Sequence, residues 1–339
     1  MSDALGPRVR AVTRGFTWQD GERLIRFGRG ALADAPALLD EPYTLLTTER
    51  AGALAPGVVE QAERVLHVGP GRVDELAGAL LDELPATPLL VALGGGRVVD
   101  VAKALAAARP PARVAAIPTT LSAAEMTAVH RRAAGTPADV PGVRPAIVLN
   151  DPALSASQPE EELAASAANA LAHALEGPLT PRSSPVPELA AREAARLLAT
   201  AWNASEPDRD ALALGALLSG YVIDSTGYGL HHVLSQTLVR LAGVGHGQAN
   251  AALLPHTLKA LRRRSPDRLE ALALGLGADP AVLATALARR AGAARLRDLG
   301  VTEEQLDACA QAAAQRPELA LTPPPADEAE IRALYAGAF

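Results

Sequence analysis

The apolar run Pro88 to Leu93 (PLLVAL) passes straight into Gly94-Gly95-Gly96, and a helical pattern, Val98 to Ala108, follows at once. This junction constrains the fold more than any other stretch. A short, wholly apolar strand belongs inside a sheet covered on both faces. The helix after it crosses back over that sheet, as in a parallel α/β layer. Three glycines in succession exceed what a tight turn needs. Glycines let backbone approach a ligand closely and tolerate positive φ. The following helix aims free N–H groups and its positive dipole end at the loop. The result is an anion cradle suited to a pyrophosphate, although its spacing is neither GxGxxG nor the Walker pattern. An unliganded turn is the alternative reading, and the third glycine weighs against it.

The neighbouring segments repeat the alternation. Tyr43 to Thr48, Arg64 to Val68, Val114 to Ile117 and Ala146 to Leu149 read as strands, and Val73 to Leu84 as a helix. Strands alternating with helices predict a parallel sheet. Pro118-Thr119-Thr120 follows one strand, so both hydroxyls fall at the sheet's C-terminal edge, where open α/β folds bind ligands. By themselves these threonines read better as turn or capping residues. Beyond residue 155 the strand signals stop. Glu160 to Glu176, Pro187 to Trp202, Asp208 to Ser225, Pro280 to Ala291 and Asp327 to Tyr335 have helical spacing. The expected architecture is therefore α/β: a Rossmann-like, parallel-sheet dinucleotide domain over residues 1–155 and an all-helical substrate domain over 156–339. A length of 339 residues suits two domains.

Charge and cysteine content narrow the function. The net charge is −6 and no basic run exceeds Arg262-Arg263-Arg264, which argues against a nucleic-acid partner. The one cysteine, Cys309, allows neither a disulfide within the chain nor a Cys-rich metal site. No apolar run nears the roughly 18 residues of a membrane span. Met1 to Arg14 lacks the apolar core of a secretory signal. A cytoplasmic enzyme acting on a small molecule is the expectation.

Five of the seven histidines lie between His173 and His256, in the helical half. Asn169 and His173 are four apart and share a helix face. His232 and His246 are fourteen apart, which on one straight helix separates them by about 21 Å. Gly243, Gly245 and Gly247 can break that helix and turn the chain back. His173, His232 and His246 can then converge. Three imidazoles suit a divalent metal with an open position, or, without metal, proton donation to a developing alkoxide.

These motifs together resemble the maleylacetate reductase branch of the iron-containing alcohol dehydrogenase family. Gly94-Gly95-Gly96 with Asp100 and Lys103 is similar to the family's GGGSxxDxAK loop. Ile117-Pro118-Thr119-Thr120 with Glu125-Met126-Thr127 resembles IPTTxxxSEMT. Asn169 to His173 with Glu176 resembles NALAHxxE, and Gly229 to His232 resembles GLHH. Gly245-His246-Gly247, Leu254-Pro255-His256 and Phe27-Gly28-Arg29-Gly30 complete the order. The resemblance implies hydride transfer from NADH or NADPH to a small carbonyl or enone. It implies cofactor contacts at Gly94, Gly95, Gly96, Asp100, Lys103, Thr119 and Thr120, and catalysis by His173, His232 and His246. Iron-dependent members hold a metal with an Asp and three His. Here Asn169 stands in the Asp position, which removes a negative charge and disfavours a tightly held Fe or Zn.

Some positions depart from the pattern. Arg97 stands for a serine, Ala123-Ala124 for Gly-Ser, Val233 for a lysine, Ser235 for a cysteine and Gln236 for a histidine. The last three are expected on the substrate side, where losing a cation counts against a dicarboxylate. A non-redox lyase or dehydratase on the same fold, or a silent nucleotide-binding protein, is the alternative. The resemblance also implies a homodimer, with an edge strand near the N-terminus available for pairing.

Overall fold

The computed structural model describes residues 15–202 and 205–339; Met1 to Arg14, read above for a signal segment, lies outside the described residues. The strands are β1 (Phe16–Asp20), β2 (Arg23–Phe27), β3 (Tyr43–Thr47), β4 (Arg64–His67), β5 (Leu89–Gly94), β6 (Arg113–Pro118) and β7 (Ile147–Asn150). They form one sheet in the order β1-β2-β7-β6-β5-β3-β4. Every pairing is parallel except β1 with β2.

The β1–β2 hairpin adds to the expected strands. Its two-residue turn begins at Gly21, whose φ of 60° suits a hairpin turn. Phe16 stacks on Phe27 with ring centroids 5.2 Å apart. Both strands alternate in burial, which is the period of a sheet.

The short helices α1 (Ala35–Leu38), α2 (Glu49–Gly52) and α3 (Pro56–Glu60) and the longer α4 (Val73–Leu80) and α5 (Gly96–Ala108) cover the sheet. Alternate residues of β5 serve opposite faces. Leu90 and Ala92 pack with Val98, Val101 and Leu105 of α5, whereas Leu89, Val91 and Leu93 pack with Tyr43, Val58 and Leu149. Complete burial of β5 on both faces explains its unbroken apolar sequence.

Beyond β7 the chain is helical: α6 (Glu160–Glu176), α7 (Pro185–Thr200), α8 (Arg209–Thr226), α9 (Leu230–Leu241), α10 (His246–Arg264), α11 (Pro266–Leu276), α12 (Pro280–Arg290), α13 (Glu303–Ala314) and α14 (Glu328–Ala338). α6 is the central rod. Ala167 to Glu176 are all buried, and α7, α8, α10 and α12 surround it. Its alanines permit close approach: a Cβ on Gly247 of α10 would lie 3.0 Å from Ala165 Cβ. No single helix among the described residues is long and apolar enough to cross a membrane.

The two halves meet through one continuous core, in which Ile25, Phe27, Leu121, Met126 and Val148 pack with the helices. Gly220 of α8 sits at this joint. A Cβ there would stand 2.7 Å from Met126 Cβ and 2.9 Å from Ala123 Cβ. Gly220→Ala is expected to lower stability by about 1–3 kcal/mol through overpacking. Thermal unfolding measures it, and an unchanged midpoint would show that the turn carrying Met126 yields freely.

Candidate active site

The chain runs outward from β3 to β4, then returns to β5 on the other side of β3 and continues to β6 and β7. The C-terminal ends of β3 and β5 therefore flank a switch point, the usual crevice for ligands in an open α/β sheet. Gly94 ends β5, and α5 begins at Gly96 with no side chain capping it. Its first N–H groups are left for another acceptor. None of the three glycines has positive φ, and Gly95 is extended at −76°. Conformational freedom is thus not their reason for being there; room is. A Cβ on Gly95 would lie 3.1 Å from Thr120 Cγ2, and one on Gly96 would lie 2.8 Å from Ser122 Cβ. Thr119 is buried, and its N–H donates to Gly94 O at 3.0 Å. Thr47 Oγ1 donates to Leu93 O at 2.9 Å, and the exposed Arg97 reaches Gly69 O at 3.4 Å.

Lys103 departs from its expected contact with the nucleotide. It is wholly buried, and Nζ donates to Val129 O (2.8 Å), Ala124 O (3.0 Å), Thr127 O (3.1 Å) and Thr127 Oγ1 (3.3 Å). Asp100 pairs with it at 2.8 Å. An ammonium has three protons, so none is left over for a phosphate. Lys103 instead clasps the loop that follows β6. Glu125, wholly buried beside this pair, has its carboxyl pushed up to about 7 by burial, with Lys103 pulling the other way.

The histidines approach from three helices. α6 carries Asn169 and His173 one turn apart, α9 carries His231 and His232 in its first turn, and α10 begins at His246. The glycine-rich break after α9 falls where the spacing required it. The His173 and His232 rings stack at 4.6 Å, inclined by 22°. His246 is exposed and stands close enough that its charge opposes protonation of both. Burial is the main force holding these rings neutral: it takes His173 well below its ordinary value and His231 and His232 to about 3. His231 is spoken for. Its Nδ1 meets Thr257 Oγ1 at 2.8 Å and its Nε2 meets Asn250 Oδ1 at 3.0 Å.

Ser122 joins the two sets of residues. It lies against Gly96, and its carbonyl accepts from Asn169 Nδ2 at 3.3 Å. The histidine face of α6 therefore adjoins the glycine loop. Along this seam Asn169 Oδ1, His173 Nδ1, His232 Nε2 and Glu125 Oε2 are buried without a hydrogen-bond partner. Buried polar atoms are nearly always paired, so unpaired ones gathered at one place mark where a ligand or water completes them.

The residues do not fit a tightly held metal. Asn169 supplies an amide and no charge. The carboxylate touching the cluster, Glu176, is spent on His232 Nδ1 at 2.6 Å and on the N–H of His231 at 2.6 Å. The His173 and His232 rings lie stacked on each other, inclined by 22°. Among the described residues no group of three His, Cys, Asp or Glu has metal-binding geometry.

Two departures from the family pattern lie beside His232 on α9. Val233 and Ser235 are fully buried in the helical core, and Ser235 Oγ donates to His232 O at 3.3 Å. Gln236 is half-buried and accepts from Arg316 at 3.2 Å. Sequence reasoning assigned no role to Ser122 or Thr322. Thr322 Oγ1 accepts from Leu230 N at 2.9 Å, across 92 positions, and no local signal announces such a cap.

A sequence model of the Fe-containing alcohol dehydrogenase family, C-terminal, matches residues 163–339. The chain is similar to the maleylacetate reductase of Pseudomonas aeruginosa, 34% identical over 83% of this chain and 86% of that protein. It is 33% identical to the maleylacetate reductase of a Rhizobium species over 86% of this chain and 84% of the relative. The crystal structure of maleylacetate reductase from Agrobacterium tumefaciens superposes with a TM-score of 0.82 and 28% identity, covering 96% of this chain and 97% of that one. With this fold, this order of motifs and these relatives, the chain belongs to the iron-containing alcohol dehydrogenase family as a nicotinamide-dependent oxidoreductase similar to its maleylacetate reductases.

Proposed function

We propose that this chain reduces a small oxo acid or enone of the maleylacetate type with NADH or NADPH, without a metal. The observation that carries the reading is the row of unpartnered buried atoms at Asn169, His173 and His232, joined to the glycine loop through Ser122. The dinucleotide supplies the hydride. Its pyrophosphate suits the uncapped start of α5, where Gly95 and Gly96 leave room beside Thr120 and Ser122.

Hydride arriving at a carbonyl carbon leaves negative charge on oxygen, and that oxygen needs a proton. His232 Nε2 has no partner while its Nδ1 is held by Glu176, so it is the atom set to meet the oxygen. His173, stacked against it, and the amide of Asn169 line the same place. His246, exposed at the start of α10, is the route by which solvent protons reach the buried rings. The outer edge of β1 carries no partner strand among the described residues. Such an edge suits pairing with a second copy about a twofold axis, giving a homodimer.

The test is a fluorescence titration with NADH and with NADPH, followed by turnover of oxo acids and enones with and without a chelator. Saturable binding of one cofactor and chelator-insensitive turnover are expected. Failure of both cofactors to bind at high micromolar concentration would sink the reductase reading. Turnover lost to the chelator and restored by Fe²⁺ or Zn²⁺ would overturn its metal-free part.

A further inference from the structure

The start of α9 leaves backbone N–H groups that need acceptors. No side chain of its own N-cap, Gly229, can supply one. Two distant residues do so. Thr322 takes Leu230 N, and Glu176, the last residue of α6, takes the next two: Oε1 accepts from His231 N at 2.6 Å and Oε2 from His232 N at 3.4 Å. Oε2 also lies 2.6 Å from His232 Nδ1. Glu176 is 1% exposed, and a Cβ on Gly229 would come within 1.9 Å of Thr322 Oγ1, so the packing around this turn leaves no slack.

We propose that Glu176 is a positioning residue for the reaction: it holds the His232 ring with Nδ1 protonated and a bare Nε2 turned toward the substrate oxygen. The inference rests on the reductase reading above but concerns a residue that reading does not use. Both Glu176 oxygens accept backbone N–H groups, and these donors favour the carboxylate, against burial, which pushes the carboxyl up. The helix N-terminus favours negative charge at the same spot. The short contact to Nδ1 is then a ring N–H donating to a carboxylate, and the neutral ring keeps its lone pair on Nε2. His232 Nε2 is buried without a hydrogen-bond partner, as this tautomer allows.

The arrangement matters for the proton. To protonate an alkoxide, the ring must carry a proton on Nε2 and keep the one on Nδ1, and a carboxylate behind Nδ1 stabilises that cation. The proton leaves Nε2 for the alkoxide, an alcohol forms, and the ring returns to its resting tautomer with Glu176 unchanged. Glu176→Gln reverses the logic. The amide oxygen can still accept from His231 N, but the amide N–H₂ now donates to Nδ1. That drives the ring proton to Nε2, and a second proton has no anion to steady it.

The experiment is ring-¹⁵N NMR of histidine-labelled protein, with His232 assigned through a His232→Gln spectrum, alongside steady-state kinetics. In the unsubstituted protein His232 is expected as the Nδ1–H tautomer. Glu176→Gln is expected to convert it to Nε2–H and to lower kcat by about 10²–10⁴-fold, with KM and dinucleotide affinity unchanged. Glu176→Asp, which keeps the anion, should recover part of kcat. A purely structural role would instead move dinucleotide affinity and thermal stability together and leave the tautomer alone. An Nε2–H tautomer in the unsubstituted protein, or a Gln variant with ordinary kcat, overturns the proposal. Should Glu176→Gln not fold, the first of these measurements still decides. Should the protein reduce no carbonyl at all, the tautomer result separates a wrong reaction from a wrong role for Glu176.

Discussion

His232→Ala is expected to lower kcat for carbonyl reduction by about 10²–10⁴-fold while leaving dinucleotide affinity unchanged. The ring is 2% exposed, stacked on His173 at 4.6 Å and held from behind by Glu176 at 2.6 Å. Little else in contact with it carries a dissociable proton near neutrality. Burial holds His173 and His232 alike neutral, but His232 has the Glu176 carboxyl on Nδ1 to steady a second proton, and His231 has both nitrogens engaged. Alanine leaves Glu176 with its backbone donors but without its ring partner, a loss of about 1–3 kcal/mol in stability. Cofactor titration and circular dichroism on the same sample separate that cost from the loss of chemistry. His256→Ala is the control. That residue lies on α10 ten positions after His246, next to Pro255, and is not among the unpartnered atoms of the seam. A His232→Ala enzyme with near-normal kcat would remove His232 from the mechanism and transfer the proton donor to His173 or His246.

The sequence made some of this arrangement legible and hid the rest for a physical reason. Features written in neighbouring residues were readable. The apolar β5, the glycines that end it, the span of α6 from Glu160 to Glu176 and the break between Leu241 and His246 all follow from period and punctuation. Features made by contact between distant segments were not. Lys103 was expected at the nucleotide because the resemblance sets it in the family's glycine-loop motif. Its side chain instead turns inward, because the loop after β6 offers it four acceptors within 3.3 Å. Val233 and Ser235 were expected on the substrate side because the resemblance sets them where the reductases carry a lysine and a cysteine; in the structure both are fully buried, and Ser235, three residues after His232, donates to His232 O. The hold of Glu176 and Thr322 on α9 spans 55 and 92 positions, and nothing local marks it. The β1–β2 hairpin is the exception. Its alternation and its Asp20-Gly21 turn were visible, and the expectation of purely parallel pairing passed over them.

Gly95→Val is expected to weaken NADH or NADPH binding by about 100-fold or more, equal to about 2.8 kcal/mol, with the fold retained. The backbone at Gly95 is extended, with φ −76° and ψ 179°, a conformation valine adopts without strain. The effect is therefore one of space. The first added atom already stands 3.1 Å from Thr120 Cγ2 and 3.3 Å from Thr120 Oγ1. The two γ-methyls have only the ligand side left, over the free N–H groups at the start of α5. They would displace a phosphate from the one part of the loop that can donate to it. Gly95→Ala adds the first atom alone and should fall between the two, because Thr120 can yield by a few tenths of an ångström. A graded loss from Gly through Ala to Val, at nearly constant unfolding temperature, is the signature of a filled cradle. A valine variant that binds with full affinity would mean that the glycines serve only the turn, and that the dinucleotide lies elsewhere along the edge between β3 and β5.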